Sequence, residues 1–132
     1  MDEEQLVLQA NARFYDAFAK RDVDAMDALW ARTLPVACIH PGWSALKGRA
    51  RVLASFRGIL GSDDSPKIHP TEPTVCLYGE VAFVICYENV PRGRLLATNV
   101  FAREDGDWKM VHHQAGPTTG DPEVEPDKSS LN

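Results

Sequence analysis

Between Asp2 and Lys20 the apolar residues Leu6, Ala10, Phe14, Ala17 and Phe18 recur at helical spacing and fall on one stripe. This pattern predicts a long helix with one face turned to a core, and its acidic first turn suits the positive end of the helix dipole. Asp22 is placed to cap a second helix in which Val23, Met26, Leu29 and Trp30 share a face. Leu34 to His40 reads as a short apolar strand that ends where Pro41-Gly42 must leave the sheet, because proline has no ladder donor. From Gly48 a third helix is expected, with Val52, Phe56, Ile59 and Leu60 inward and Gly61 placed to stop it.

The remaining pattern is β. Lys67 to Tyr78, Val81 to Val90, Leu95 to Arg103 and Trp108 to Ala115 are rich in β-branched and aromatic residues. Short turns at Gly79-Glu80, Pro91-Arg92-Gly93 and Asp105-Gly106 separate them. Pro70 and Pro73 predict that the first of these strands bends or bulges at an edge. From Thr118 onward there is little to bury, so residues 1–117 are expected to form a single domain and 118–132 a polar flexible tail. The order α-α-β-α-β-β-β-β predicts an α+β fold with three N-terminal helices on one face of a curved antiparallel sheet. The other face carries Val81, Phe83, Ile85 and Tyr87 or their alternates. It is too apolar for water on both sides, and a homodimer interface through the sheet is expected to cover it.

Composition narrows the partners. With 132 residues, 44% hydrophobic, the chain is long enough for one ordinary core. A net charge of −5 and the absence of any Lys/Arg cluster predict neither a nucleic-acid nor a membrane partner. Cys38, Cys76 and Cys86 lie in apolar runs without metal-ligand spacing, which fits free thiols in a reducing compartment. The acidic start MDEEQLVLQA does not read as a signal peptide, and a cytoplasmic location is expected. Phosphate loops, nucleotide fingerprints and Ser-His-Asp order are absent, so no cofactor is implied.

Four stretches, FYDAFAKRDVDAMDALW, CIHPGWSALKGRARVLASF, VAFVICYENV and ATNVFAREDGDWKMVHHQAGP, together resemble the nuclear transport factor 2-like superfamily and within it the SnoaL-like, ketosteroid-isomerase-like branch. The resemblance implies a cone-shaped α+β domain with a deep pocket between helices and sheet, commonly paired into dimers through the sheet. In the ketosteroid-isomerase-like members a tyrosine on the first helix, an aspartate at the end of the first strand and an acid on the penultimate strand carry the chemistry. The matching positions here are Phe14, His40 and Asn99. Phe14 has no hydroxyl for an oxyanion, and Asn99 offers an amide N–H rather than an acidic proton. His40, with an ordinary value near neutrality, suits a general base. The closing hairpin also resembles the association domain of calcium/calmodulin-dependent kinase II, an oligomerisation module.

The expected catalytic residues are therefore His40, Asn99 and His113. Their placement depends on register, because neighbours on a strand face opposite sides. A bulged three-residue turn around Gly106 would put Asn99 on one face with Val111 and His113, whereas a tight two-residue turn would pair it with His112. The resemblance favours the first, with Asn99, His113 and Ala115 inward and His112 and Gln114 toward a partner. Phe14, Tyr15, Phe18, Trp30, Trp43, Phe56, Phe101, Val111 and Ala115 are the expected pocket-lining residues, Trp43 as an apolar lid. Consecutive strand histidines point apart, so no metal site is expected. Arg49 and Arg51 read as solvated charges at a helix start.

These residues predict a small-molecule-binding protein, either a cofactor-free isomerase, cyclase or lyase acting on an apolar carbonyl or hydroxyl compound, or a non-catalytic oligomerisation or ligand-sensing module.

Overall fold

The computed structural model describes residues 1–119. Helix α1 (Glu3–Ala19) opens with a capping box in which Asp2 accepts from the Gln5 N–H and Gln5 reaches back to the Asp2 N–H. Its buried stripe is wider than the one periodicity picks out. Val7, Asn11 and Tyr15 are buried beside Ala10, Phe14, Ala17 and Phe18, while Leu6 is only half-buried. Helix α2 (Val23–Leu29) is capped by Asp22, as its sequence predicts. Helix α3 (Arg49–Gly61) starts at Gly48, whose φ of 92° lies in a region that suits glycine.

Arg49 is not a solvated charge. Its guanidinium donates to the carbonyls of Asp27, Trp30 and Ala31 and to the Asp27 carboxylate, tying the start of α3 to the end of α2. The last carbonyls of a helix are unpaired within it and carry partial negative charge, which a cation there offsets. Arg51 is exposed.

The strands are β1 (Ala37–Ile39), β2 (Leu46–Lys47), β3 (His69–Tyr78), β4 (Val81–Val90), β5 (Gly93–Glu104) and β6 (Asp107–Thr118). They form one sheet in the order β2-β1-β6-β5-β4-β3. The sheet is mixed rather than wholly antiparallel, because β1 runs parallel to β6, and β2 is a short addition to the expected order. Strand β3 is one of the two edge strands, and its register shifts between Thr71 and Thr74, beside Pro73, with Glu72 at a φ of 56°. Thr118 pairs with Arg94 and so belongs to β6 rather than to a tail. The rest of the predicted tail, residues 120–132, lies outside the described residues.

The β5–β6 hairpin departs from expectation in an instructive way. Glu104 pairs with Asp107, so the turn is the tight two-residue kind, with φ of 53° at Asp105 and 84° at Gly106. The bulge sits deeper in the ladder. Phe101 pairs with Met110 but Val100 with His112, which leaves Val111 as the extra residue. Asn99 thus faces His113, the partner expected for a bulged turn, although the turn itself carries no bulge.

Three helices cover one face of the curved sheet, and aromatic rings fill the space between. Phe14 meets Phe56 edge-on at 5.8 Å and Tyr15 at 4.9 Å between ring centroids. Such pairs add about 0.5–1.5 kcal/mol each beyond the area they bury. Cys38, Cys76 and Cys86 are free thiols.

Candidate functional site

Alternation along the strands turns a small set of polar side chains toward the helices. In β4 the buried residues are Ala82, Val84, Cys86 and Glu88, so a carboxyl occupies the inward phase of an otherwise apolar strand and is only 2% exposed. In β5 and β6 the cross-strand partners Asn99 and His113 are both inward, and in β1 the inward Cys38 is followed two residues later by His40. Helix α1 contributes Asn11 and Tyr15, one turn apart on the face that meets them.

Two hydrogen-bonded groups result. In the first, Asn99 Nδ2 donates to Asn11 Oδ1 at 2.8 Å and to the Tyr15 hydroxyl at 3.0 Å, and Tyr15 donates to Glu88 Oε2 at 2.6 Å. With both amide hydrogens of Asn99 committed, its Oδ1 accepts from His113 Nδ1 at 2.6 Å. In the second, Ser55 Oγ spends its one hydrogen on the Val52 carbonyl at 2.6 Å, so it accepts from His40 Nε2 at 2.9 Å. Each histidine is then held in one neutral tautomer, with a lone pair on His40 Nδ1 and on His113 Nε2. Among the described residues, the hydrogen-bond partner of His40 Nδ1 is the Cys38 sulfur, at 3.9 Å.

Burial sets the protonation states. It pushes the His113 imidazole down to about 3, aided by the neighbouring His40 and His112, and lowers His40 as well. It raises the Glu88 carboxyl, partly offset by the hydrogen bond from Tyr15, and it pushes the Cys38 thiol up to about 12. Burial and the adjacent Glu88 also raise the Tyr15 hydroxyl, which stays a neutral donor.

These groups border a cavity of about 220 Å³. His40, Glu88 and His113 are its buried polar lining, and Phe18, Pro41, Trp43, Ile59, Pro66, Ile68, Val90 and Leu95 supply the remainder. Larger clefts exist, one of about 430 Å³ beside Arg13 and Trp108, but none of these buried titratable groups lines it. Trp43 is 49% exposed and sets its ring edge-on to His40 at 4.8 Å.

The nine residues expected to line a pocket divide. Phe18 and Trp43 line the cavity. Phe14 and Phe56 back its histidines, with ring centroids 4.8 Å from His113 and 5.0 Å from His40 respectively. Tyr15 does not line the cavity and is joined to it through the hydrogen bond from its hydroxyl to Glu88. Trp30, Phe101 and Ala115 lie in the closed core and Val111 is the bulge residue, and none of the four borders the cavity. Among the three expected catalytic residues, His40 and His113 border it, and Asn99 is fully buried behind His113.

Glu88, Asn11 and Ser55 are absent from the sequence-based reading. Glu88 was accessible to it through the inward phase of VAFVICYENV. Asn11 sits inside the helical stripe but, being polar, reads as its edge. No local signal marks Ser55, which the packing of α3 brings to His40. Among the described residues, no group of three or more His, Cys, Asp or Glu is arranged to hold a metal ion. No helix among them is long and apolar enough to cross a membrane.

A family profile for the SnoaL-like domain matches residues 7–119. The structure is similar to that of a dehydratase candidate of the NTF2-like family from Streptomyces avermitilis, with 30% identity over 88% of this chain and 96% of that one and a TM-score of 0.79. It is also similar to a candidate calcium/calmodulin-dependent protein kinase type II association domain from Thiobacillus denitrificans, with 36% identity over 83% of this chain and 93% of that one and a TM-score of 0.74. The F-box protein SKIP8 of Arabidopsis thaliana is 28% identical over 111 residues, 83% of this chain. The match spans about half, 48%, of that relative's length.

Proposed function

The chain belongs to the SnoaL-like domain family of NTF2-like proteins, and from that premise we propose that it binds a small apolar hydroxyl or carbonyl compound and catalyses a cofactor-free isomerisation or elimination by proton transfer. The observation that carries this reading is the pairing of His40 and Glu88 on one apolar cavity, their proton affinities displaced in opposite directions by burial. His40 is unprotonated near neutrality and offers the Nδ1 lone pair. It takes a proton from carbon, the C–H electron pair becomes a new π bond, and a departing hydroxyl leaves as water with a proton from the Glu88 carboxyl. In an isomerisation the proton returns to a different carbon instead. Asn99 has no free N–H for a ligand, so its part is to position His113. The dehydratase candidate among the similar structures supports the elimination branch.

Native mass spectrometry of the freshly purified protein tests this by reading retained ligand and oligomer mass together. A co-purifying apolar alcohol or ketone is then assayed for turnover. His40→Ala is expected to lower the rate by at least about 100-fold, the usual contribution of a general base. An unchanged rate in that variant removes His40 from the chemistry.

A second reading rests on the outer sheet face, where Tyr78, Val81, Ile85 and Leu96 are 65%, 43%, 37% and 39% exposed. A second copy of the chain is the proposed cover, since Val81 pairs with Tyr78 and the outward phase of β4 continues the apolar patch. Leu96→Arg should then convert a dimer mass to that of a monomer. A ligand-free ring of more than two copies would favour an assembly module like the association-domain relative.

A further inference from the structure

The hydrogen bonds around the cavity run in one direction. His113 Nδ1–H donates to Asn99, Asn99 donates to Tyr15, and Tyr15 donates to Glu88. Asn11 Oδ1 takes the other Asn99 amide hydrogen and so holds that amide in this orientation. Independently, Ser55 takes the Nε2 hydrogen of His40. In both histidines the N–H is therefore spent within the protein. The nitrogen left over is an acceptor, and His113 Nε2 makes no hydrogen bond among the described residues.

We propose that the cavity selects a compound carrying a hydroxyl, an apolar alcohol rather than the corresponding ketone. This rests on the functional reading above for the site and narrows its ligand class. A hydroxyl both donates and accepts. It gives its hydrogen to a histidine lone pair, and its oxygen receives one from Glu88 whenever that carboxyl is protonated, so an alcohol is matched in either state of Glu88. A ketone only accepts. It leaves the His113 Nε2 lone pair with no donor and that of His40 Nδ1 with only the Cys38 thiol at 3.9 Å, and a buried acceptor without a donor carries its full desolvation cost. Sites arranged around a substrate hydroxyl reject analogues lacking it far more strongly than apolar pockets reject a methylene. The indole N–H of Trp43 is the other side-chain donor among the lining residues, and it belongs to a half-exposed residue rather than to the buried wall. The volume of about 220 Å³, set against the ~150 Å³ that holds benzene, suits a ligand of about nine or ten non-hydrogen atoms.

The test uses the whole chain and a matched pair, 1-indanol and 1-indanone, measured by isothermal titration calorimetry at pH 7. The expected result is at least about tenfold tighter binding of the alcohol. Equal affinity, tighter binding of the ketone, or no binding of either at millimolar concentration overturns the proposal. Nitrogen-15 NMR of the histidine side chains supplies a ligand-free check. His113 protonated on Nδ1 and His40 on Nε2 are expected, and the opposite tautomer at either position overturns the donor accounting. Alcohol binding without turnover would sink the catalytic reading while leaving this inference standing.

Discussion

At the scale of single residues, Tyr15 and Glu88 define the site's energetics. Tyr15 is the junction of the polar network, accepting from Asn99 and donating to Glu88. Tyr15→Phe removes both bonds, and with them the 3.2 Å hydroxyl contact to Cys86 Sγ, without opening space, and leaves buried polar groups unpaired. A loss of roughly 1–3 kcal/mol is expected in urea unfolding, against a near-zero effect for Tyr78→Phe at an exposed position. Glu88 is held in the fold with its carboxyl raised above the ordinary range, so its ionisation opposes folding. Its contribution is whole below the unfolded value near 4.5 and is lost as pH rises through the folded one. Glu88→Gln should therefore gain melting temperature relative to the parent at pH 8 and show the least gain at pH 4.5. The same gain at both values would mean that Glu88 is not ionising inside the fold.

At the scale of elements, one carboxylate fixes the passage from α2 to β1. Glu104, at the end of β5, accepts from the backbone N–H groups of Arg32, Thr33 and Leu34 and from the Thr33 hydroxyl. These donors, the Arg32 N–H foremost, hold it down at about 2. Because the folded value lies below the unfolded one, this stabilisation is present above pH 4.5 and disappears as pH falls through about 2. Glu104→Gln is expected to melt lower than the parent at pH 7, with the gap closing toward pH 2. A gap independent of pH would assign the loss to packing. The bulge at Val111 acts at the same scale. By adding one residue after Met110 it brings His113 rather than His112 opposite Asn99, which decides which imidazole the helices enclose.

At the scale of the molecule, the two enclosed histidines make the fold sensitive to acid. His113 titrates at about 3 in the folded state and near 6.5 when unfolded, so its contribution is complete above pH 6.5 and declines as pH falls toward 3. His40, also lowered by burial, adds to the same slope, and Glu88 opposes it above pH 4.5. Thermal melts of the parent should fall from pH 6.5 downward, and His113→Gln should flatten that fall. An unchanged pH profile in the variant would remove His113 as a source of acid sensitivity.

Much of the architecture was legible in the chain because helical and strand periodicities, caps and turn residues are local. The β4 bounds, the Asp22 cap and the irregular edge strand all follow from neighbours in sequence. The His40–His113 grouping was reachable through family resemblance, and Glu88 through the inward phase of its strand. The tertiary structure alone decided the rest. A bulge arises from competition between the twist of two paired strands and their turn, so its site at Val111 is no property of either strand taken singly. The tautomers of His40 and His113 depend on Ser55 and Asn99, 15 and 14 positions away. Hydrogen-bond direction is a property of the closed network, and only the fold closes it.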